Sequence, residues 1–525
     1  MARVLMVQGT MSNVGKSLLV AGLCRFFARR GYRVAPFKSQ NMALNSFVTR
    51  EGLEIGRAQA MQAQACGIEP SVDMNPILLK PTSDVGSQVI VSGKPLANMR
   101  ARDYFQYKKT LVPRIMNAYR RLAAGHDIIF VEGAGSPAEI NLKAEDIVNM
   151  GLAGMIDAPV LLVGDIDPGG VFAQLYGTWA LLPSEERRRI CGFVINKFRG
   201  DQSLLDPGIA MLEEKVGIPV LGVIPYMDLI IDEEDSLSNR LRDGQPDAID
   251  IAVIRLPHMS NFSDFTVFEG REGVSLRYIR SADRLCRADL VILPGSKNTT
   301  ADLEWMKEVG LAEEIRKFAE RGGLVAGICG GYQMLGQRVS DPQGLEGGGS
   351  CKGLGLLPHE TLLERNKELT QVEGHFSDDL PGFWSCLRGR PLNGYEIHMG
   401  KTNLVDFPPK DRRKDREDWV CLDQVQSTSL QGSIHGSTEK DDLMKDDLRT
   451  EGMILGSVLG TYVHGIFDGT GNAEALLNAI AEKKGLSQRY EPREAADFAG
   501  KQYDILADCL QDHMDMRQIE KILNL

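Results

Sequence analysis

Short runs of uninterrupted apolar residues recur along the chain and alternate with stretches whose apolar positions repeat every three or four residues. Val4–Val7, Ile128–Glu132, Val160–Val163, Gly192–Asn196 and Val220–Ile224 read as strands buried on both faces, because they lack the in-out alternation of a half-exposed strand. Ser17–Arg30 and Leu111–Ala124 between them read as helices. This rhythm predicts an α/β domain with a parallel sheet and helices on both faces. The pattern breaks around 232–250, at E-E-D-S-L-S-N-R-L-R-D-G-Q-P-D (233–247), and a polar linker is expected over 236–250. It restarts at Ile251–Leu256, with Leu290–Leu293 and Leu324–Ile328 as further strands. Residues 406–450, rich in Asp, Lys, Arg, Ser and Gly, show little periodicity and read as a solvated insertion. The expected organisation is therefore a first domain over 1–235, the linker, a second α/β domain over 251–500, and a helical tail over 501–525.

Composition narrows the class. A chain of 525 residues is too long for one core. Its net charge of −11, with no basic stripe, argues against a general nucleic-acid binder. Nine cysteines without C-x-x-C spacing fit reduced thiols and a cytoplasmic enzyme better than a disulfide frame or a zinc site. No apolar stretch reaches the length of a membrane span, and M-A-R-V-L-M-V-Q-G reads as a first strand, not a signal peptide. A homo-oligomer is neither required nor excluded.

Two places carry chemistry. G-T-M-S-N-V-G-K-S, Gly9–Ser17, joins the first strand to the first helix. Backbone N–H groups of Gly9, Thr10, Asn13, Val14 and Gly15 can cradle phosphate oxygens there, with Lys16 neutralising charge and Ser17 ligating Mg²⁺. The spacing deviates from the usual loop: Gly9 is one residue too far from Gly15-Lys16, and Thr10 stands where a glycine is usual. Glu132 in V-E-G-A-G and Asp165 in V-G-D-I-D-P-G-G end other strands, where open α/β sheets bind ligands, and are the candidate metal-side carboxylates.

In the second domain, L-V-A-G-I-C-G-G is the pattern of a nucleophile elbow: a strand, a sharp turn holding Cys329, then a helix start that favours a thiolate. The N–H groups of Gly295, Ser296 and Gly330 are candidate oxyanion donors. Of eight histidines, His464 in V-L-G-T-Y-V-H-G is the first choice for a base and His398 in G-Y-E-I-H-M-G the second.

These motifs resemble known families. The phosphate loop with V-E-G-A-G is similar to the dethiobiotin-synthetase-like branch of phosphate-loop enzymes. The elbow with His464 is similar to class I glutamine amidotransferases. K-S-Q-N-M-A-L-N-S (38–46), E-I-G-R-A-Q-A-M-Q-A-Q-A (54–65), M-N-P-I-L-L-K-P (74–81) and E-G-A-G-S-P-A-E-I-N-L (132–142) narrow the resemblance to the cobyric acid synthases, glutamine-dependent amidases of cobalamin biosynthesis. P-x-x-S-N-F-S-D-F (257–265) and N-G-Y-E-I-H-M-G (393–400) fit the same family. The resemblance implies ATP and Mg²⁺, a corrinoid substrate, glutamine as ammonia donor, and amidation of the b, d, e and g carboxylates of adenosylcobyrinic acid a,c-diamide.

Lys38, Gln40, Asn41 and Asn45 are then candidate substrate contacts. Gln59, Gln62 and Gln64 are equally readable as polar helix surface, and Lys80 as a surface lysine. One departure stands out. The glutamate usual two residues after the catalytic histidine is replaced by Ile466, so a Cys–His pair is expected, with a backbone carbonyl as one candidate to orient the ring. The alternatives are the sister a,c-diamide synthase, a phosphate-loop switch or partitioning ATPase, and an amidotransferase-like domain used only for binding or regulation.

Overall fold

The computed structural model describes residues 2–83, 86–231, 243–346, 348–405, 420–427, 448–493 and 495–525. Part of the expected linker (236–242) and most of the expected insertion (406–419 and 428–447) lie outside them. The chain divides into two compact units.

The first unit comprises residues 1–43, 53–234 and 499–525. Its centre is a six-stranded parallel sheet in the order Val220–Pro225, Ile190–Phe198, Val160–Asp165, Arg3–Gly9, Ile128–Glu132, Val34–Phe37. The five strands expected from the apolar runs are present, and Val34–Phe37 adds an edge that its four residues were too short to announce. Arg3–Gly9 lies between two strands that come later in the chain. The topology therefore reverses there, and the loops leaving the carboxyl ends of these strands converge at that point.

Lys16–Arg29 covers one face, burying Leu19, Leu23 and Phe27. The last residues pack on it: Leu506, Leu510 and Ile519 join the same core, and Arg25 forms two hydrogen bonds to Asp504, at 2.8 and 3.1 Å. The helical tail is thus part of this unit's core. A small sheet adds Gln40–Met42, Ile77–Ser83, Gly86–Val91 and Lys94–Arg100.

The second unit comprises residues 44–52 and 235–498. Five parallel strands run in the order Val274–Ile279, Ile249–Ile254, Leu290–Leu293, Leu324–Ile328, Val458–Thr461. The sheet then continues antiparallel through Leu448–Leu455 and Val420–Ser427 to a long hairpin of His359–His375 with Pro391–Leu404. Residues 420–427 and 448–450 are therefore sheet strands, so the stretch 406–450, read as a solvated insertion of little periodicity, contains regular structure at both of these places. Antiparallel pairing with each other and with the neighbouring strands defines them. The other difference is residues 44–52, which stand early in the sequence yet belong to this unit.

Candidate active sites

At the end of the first strand, the glycine loop is held from beneath. Asn196 donates from its side-chain amide to the Val14 carbonyl at 2.7 Å, and Lys197 donates to the Asn13 carbonyl at 2.7 Å. Gly15 has φ 94°, and a β-carbon there would lie 2.2 Å from the Asn196 amide, so glycine is required twice over. The Lys16 ammonium bridges the carbonyls of Met11 and Gly135, at 2.9 and 3.2 Å. The Thr10 N–H donates to the Val163 carbonyl at 2.9 Å.

Glu132 is the centre of this site. It is 1% exposed and accepts from Ser17 Oγ at 2.9 Å, Lys38 Nζ at 2.8 Å and Gln62 Nε2 at 2.6 Å. Burial works against the carboxylate, but the Lys38 charge, the Lys38 and Gln62 hydrogen bonds and Lys16 outweigh it and hold Glu132 below its usual range. Gln59 links Asn41 to this cluster, accepting from Asn41 Nδ2 at 3.0 Å.

Gln59 and Gln62 are fully buried, which corrects their reading as helix surface; Gln64 is exposed. The helix Arg57–Cys66 turns an alanine-rich face inward, and small neighbours let long amides reach the carboxylate. Lys80 is likewise buried, 2.8 Å from Glu54, not a surface lysine. Asp165 does not join Ser17: it is paired to Lys197 at 2.7 Å and accepts from the Asp167 N–H at 2.9 Å. Gln40 accepts from the Tyr104 hydroxyl at 2.5 Å, and Asn45 lies in the second unit.

Mg²⁺ prefers a hydroxyl or one or two carboxylates, completing its shell with waters and phosphate oxygens. The adjacent Ser17 hydroxyl and Glu132 carboxylate suit that ion. Among the described residues no cluster of three or more His, Cys, Asp or Glu forms an all-protein metal cage, which magnesium at a phosphate site does not need.

In the second unit, Cys329 ends the strand Leu324–Ile328 with φ 53° and ψ −108°, a strained turn for a residue with a β-carbon. Its N–H donates to the Thr461 carbonyl at 2.8 Å, tying the turn to the strand that leads to His464. The glycines after it are steric necessities. A β-carbon on Gly331 would meet the Leu293 carbonyl oxygen at 2.0 Å, and one on Gly330 the Ser296 backbone nitrogen at 2.7 Å. Gly295, Ser296, Gly330 and His464 thus gather around the thiol, as a β-carbon on Gly295 would also lie 3.3 Å from the His464 ring.

His464 is oriented by Asp264. Its Nδ1 lies 2.7 Å from Asp264 Oδ2, both side chains buried, and the Cys329 sulfur hydrogen-bonds the same ring. Burial alone would disfavour the imidazolium. The Asp264 charge and hydrogen bond, with the sulfur's contribution, outweigh it and push His464 up to about 10. The site is therefore a Cys–His–Asp arrangement, correcting the expected pair and its backbone carbonyl.

Asp264 stands two hundred positions before His464, in the turn Phe262–Phe268. The signal was present: a carboxylate set among Phe262, Phe265 and Phe268 is out of place unless it has a partner. Ile466, where a glutamate is familiar, is buried in the apolar core. His398 does not serve the thiol; it stacks on Tyr462, ring centroids 3.7 Å apart.

A thiol elbow with an oriented imidazole in one unit and a phosphate loop in the other meet in the comparisons with known families. Residues 250–472 match the CobB/CobQ-like glutamine amidotransferase domain, and residues 5–238 match the CobQ/CobB/MinD/ParA nucleotide binding domain. The protein is an enzyme that carries a glutamine amidotransferase domain beside a nucleotide-binding domain.

Along its whole length it is 49% identical to the cobyric acid synthase of Ruminiclostridium cellulolyticum, covering 100% of this chain and 97% of that protein. It is also 49% identical to that of Lachnoclostridium phytofermentans, covering 100% and 99%. The cobyric acid synthase of Alkaliphilus metalliredigens is 49% identical over 99% of each chain. The chain belongs to the cobyric acid synthase family.

Proposed function

We propose that this enzyme amidates the b, d, e and g carboxylates of adenosylcobyrinic acid a,c-diamide, giving adenosylcobyric acid, at the expense of ATP and glutamine. The observation that carries the reading is the pairing of two complete chemistries in one chain: the Glu132–Ser17–Lys38 cluster beside the phosphate loop, and Cys329 beside His464 and Asp264.

In the glutaminase half, the Cys329 thiolate attacks the side-chain carbonyl of glutamine. The N–H groups of Gly330, Gly295 and Ser296 are the candidate donors to the oxyanion. The His464 imidazolium gives its proton to the departing ammonia, leaving a glutamyl thioester. The ring then takes a proton from water, which attacks the thioester, releases glutamate and restores the thiol. Asp264 holds the ring with Nδ1 toward itself, so Nε2 faces the sulfur.

In the synthetase half, Gly9–Ser17 cradles the ATP phosphates, and Lys16 leaves its carbonyl partners for the γ-phosphate. Ser17 and Glu132 would hold Mg²⁺, which supplies charge neutralisation on the phosphates when bound. A substrate carboxylate oxygen attacks the γ-phosphorus, giving an acyl phosphate and ADP. Ammonia then displaces inorganic phosphate, forming the amide. A carboxylate is a poor electrophile and ammonia is mostly ammonium at neutral pH, so each half supplies what the other lacks. Lys38, Gln40, Asn41 and Asn45 are the proposed substrate contacts. A cytoplasmic location is part of the same proposal.

Asp264→Asn is expected to lower kcat for glutamine hydrolysis by roughly 10²–10⁴-fold, since an amide no longer fixes the tautomer or balances the imidazolium. The sign of the pH effect follows from the raised His464 value. The ion pair stabilises the protonated ring below its ordinary value near 6.5 and is lost as pH rises through about 10. The alkaline limb of the wild-type profile should therefore lie near 10, and that of Asp264→Asn well below it. An unshifted limb would deny Asp264 this role.

The test of the substrate assignment is mass spectrometry of the product formed with ATP, glutamine and the a,c-diamide. Each hydroxyl-to-amino exchange lowers the mass by about one unit, so four steps identify this reaction. Turnover of the unamidated acid in two steps would favour the sister a,c-diamide synthase.

A further inference from the structure

Residues 44–52 are embedded in the synthetase half of the sequence but fold into the glutaminase unit. There they bind the two residues that flank His464, Asn261 and Tyr395. The Ser46 N–H donates to Asn261 Oδ1 at 3.2 Å, and the Tyr395 hydroxyl donates to the Ser46 carbonyl at 3.3 Å. Asn261 Nδ2 donates to the Tyr395 hydroxyl at 3.3 Å, closing a ring of three bonds around one peptide segment.

Both side chains in that ring bear on the imidazole. The Tyr395 ring stacks on His464 with centroids 5.1 Å apart and planes 17° apart, and strand pairing sets Tyr395 directly opposite His464. Asn261 Nδ2 approaches His464 Nε2 at 3.5 Å, the nitrogen that must exchange a proton with the thiol. Asn261 itself sits at φ 52°, a left-handed conformation whose cost the surrounding bonds must offset. The segment is clamped further along: Val48 is buried with Tyr395 and Ile397, Phe47 packs 5.7 Å from the Tyr395 ring, and the Gln371 amide donates to the Val48 carbonyl.

The other end of the same stretch carries a different duty. Lys38, eight residues before Ser46, is the ammonium on Glu132, and Asn41 reaches Gln59 beside it. Ser17, Glu132 and Lys38 are the groups a bound nucleotide and its metal would engage, and the chain from Lys38 runs directly into residues 44–48. A bond network with two arrangements is the physical requirement for coupling.

We infer that residues 44–52 are a coupling strap, with Tyr395 and Asn261 as positioning residues through which occupancy of the phosphate site sets the rate of glutamine hydrolysis. The inference rests on the glutaminase and synthetase roles proposed above. It explains why a segment of one half of the sequence is spent on the residues that flank the other half's catalytic histidine. Glutamine would otherwise be hydrolysed without an acceptor.

The test uses the full-length enzyme and Tyr395→Phe, which keeps the stacked ring and removes only the hydroxyl that binds Ser46 and Asn261. Glutaminase kcat and KM are measured with and without ATP, Mg²⁺ and the corrinoid. The wild type is expected to gain about tenfold or more in kcat on adding them, the size of an ordinary coupling energy. Tyr395→Phe is expected to gain less than about twofold, with KM for glutamine unchanged. Its ammonia-driven synthesis should match the wild type, which shows that the synthetase chemistry survives. The same stimulation ratio in both proteins, or no stimulation in the wild type, overturns the strap. Absence of Cys329-dependent hydrolysis in the wild type would instead remove the glutaminase reading, and the strap with it.

Discussion

Cys329→Ala is expected to abolish glutamine-driven amidation, by roughly 10⁴-fold or more, while leaving ammonia-driven amidation near the wild-type rate. The argument is local. Only the sulfur can form the thioester, and Ser296, Gly330 and His464 around it act on an adduct that no longer forms. The substitution removes two buried contacts of the sulfur, the hydrogen bond to the His464 ring and a long one to the Ile397 carbonyl at 3.5 Å, while Asp264 still holds the imidazole. The turn itself survives, because its anchor is the backbone bond from Cys329 N to Thr461 and not the side chain. Ammonia supplied from solution bypasses the lost step, so synthesis should persist at ammonium concentrations and pH that provide enough free base. Parallel assays with glutamine and with ammonium salt on the same preparation check this. Survival of the glutamine-driven rate would show that the nucleophile lies elsewhere.

Lys16→Ala is expected to give the complementary result: loss of amidation from either nitrogen source by roughly 10³-fold or more, with glutamine hydrolysis retained at its unstimulated rate. The ammonium is the one phosphate-facing charge supplied by the loop itself. In the structure it rests on the Met11 and Gly135 carbonyls, both of which can be solvated when it is gone. Its loss therefore acts on the reaction far more than on the fold. Lys38 cannot replace it, since Glu132 holds that side chain at 2.8 Å. Undiminished amidation would contradict the phosphate-loop assignment. A switch ATPase, by contrast, would show ATP hydrolysis sensitive to Lys16 and indifferent to Cys329, and no corrinoid product.

Legibility followed the physics of each element. Strands buried on both faces, such as Ile128–Glu132 and Leu324–Ile328, announce themselves because their positions are apolar without interruption, up to the terminal Glu132 in the first. Nucleotide-loop and elbow glycines were readable because a short segment must make a turn no other residue allows. Val34–Phe37 gave little warning, being four residues long and partnered on one side only by Ile128–Glu132. The hairpin strand around Glu360–Lys367 was hidden for a different reason: Arg365 and Asn366 are exposed, and pairing with Pro391–Leu404 rather than a continuous apolar run defines it.

The site shows the same division. Residues adjacent in sequence to a motif, such as Lys16, Ser17 and Gly330, were found with the motif. Asp264 was not, because its role depends on where the fold brings a residue two hundred positions away. Ile466 in the familiar place suggested absence of a third member, whereas the carboxylate had been supplied from another loop. Gln59 and Gln62 were left open between ligand contacts and helix surface because a helix with three glutamines looks solvated until its alanine face is seen packed inward with two of them. Lys197 and Asn196 were missed although N-K directly after an apolar run at a strand end marks a position facing the loop.

The central claim is that nitrogen released at Cys329 is the nitrogen installed at the phosphate site. The direct measurement is product mass after reaction with glutamine labelled with ¹⁵N in its side-chain amide, in a buffer containing unlabelled ammonium. If the two chemistries are joined as proposed, the corrinoid product of the wild type is heavier by one unit per new amide than the product from unlabelled glutamine, and the label disappears from Cys329→Ala. Product carrying only unlabelled nitrogen, from a wild-type enzyme that still hydrolyses glutamine, would contradict the account.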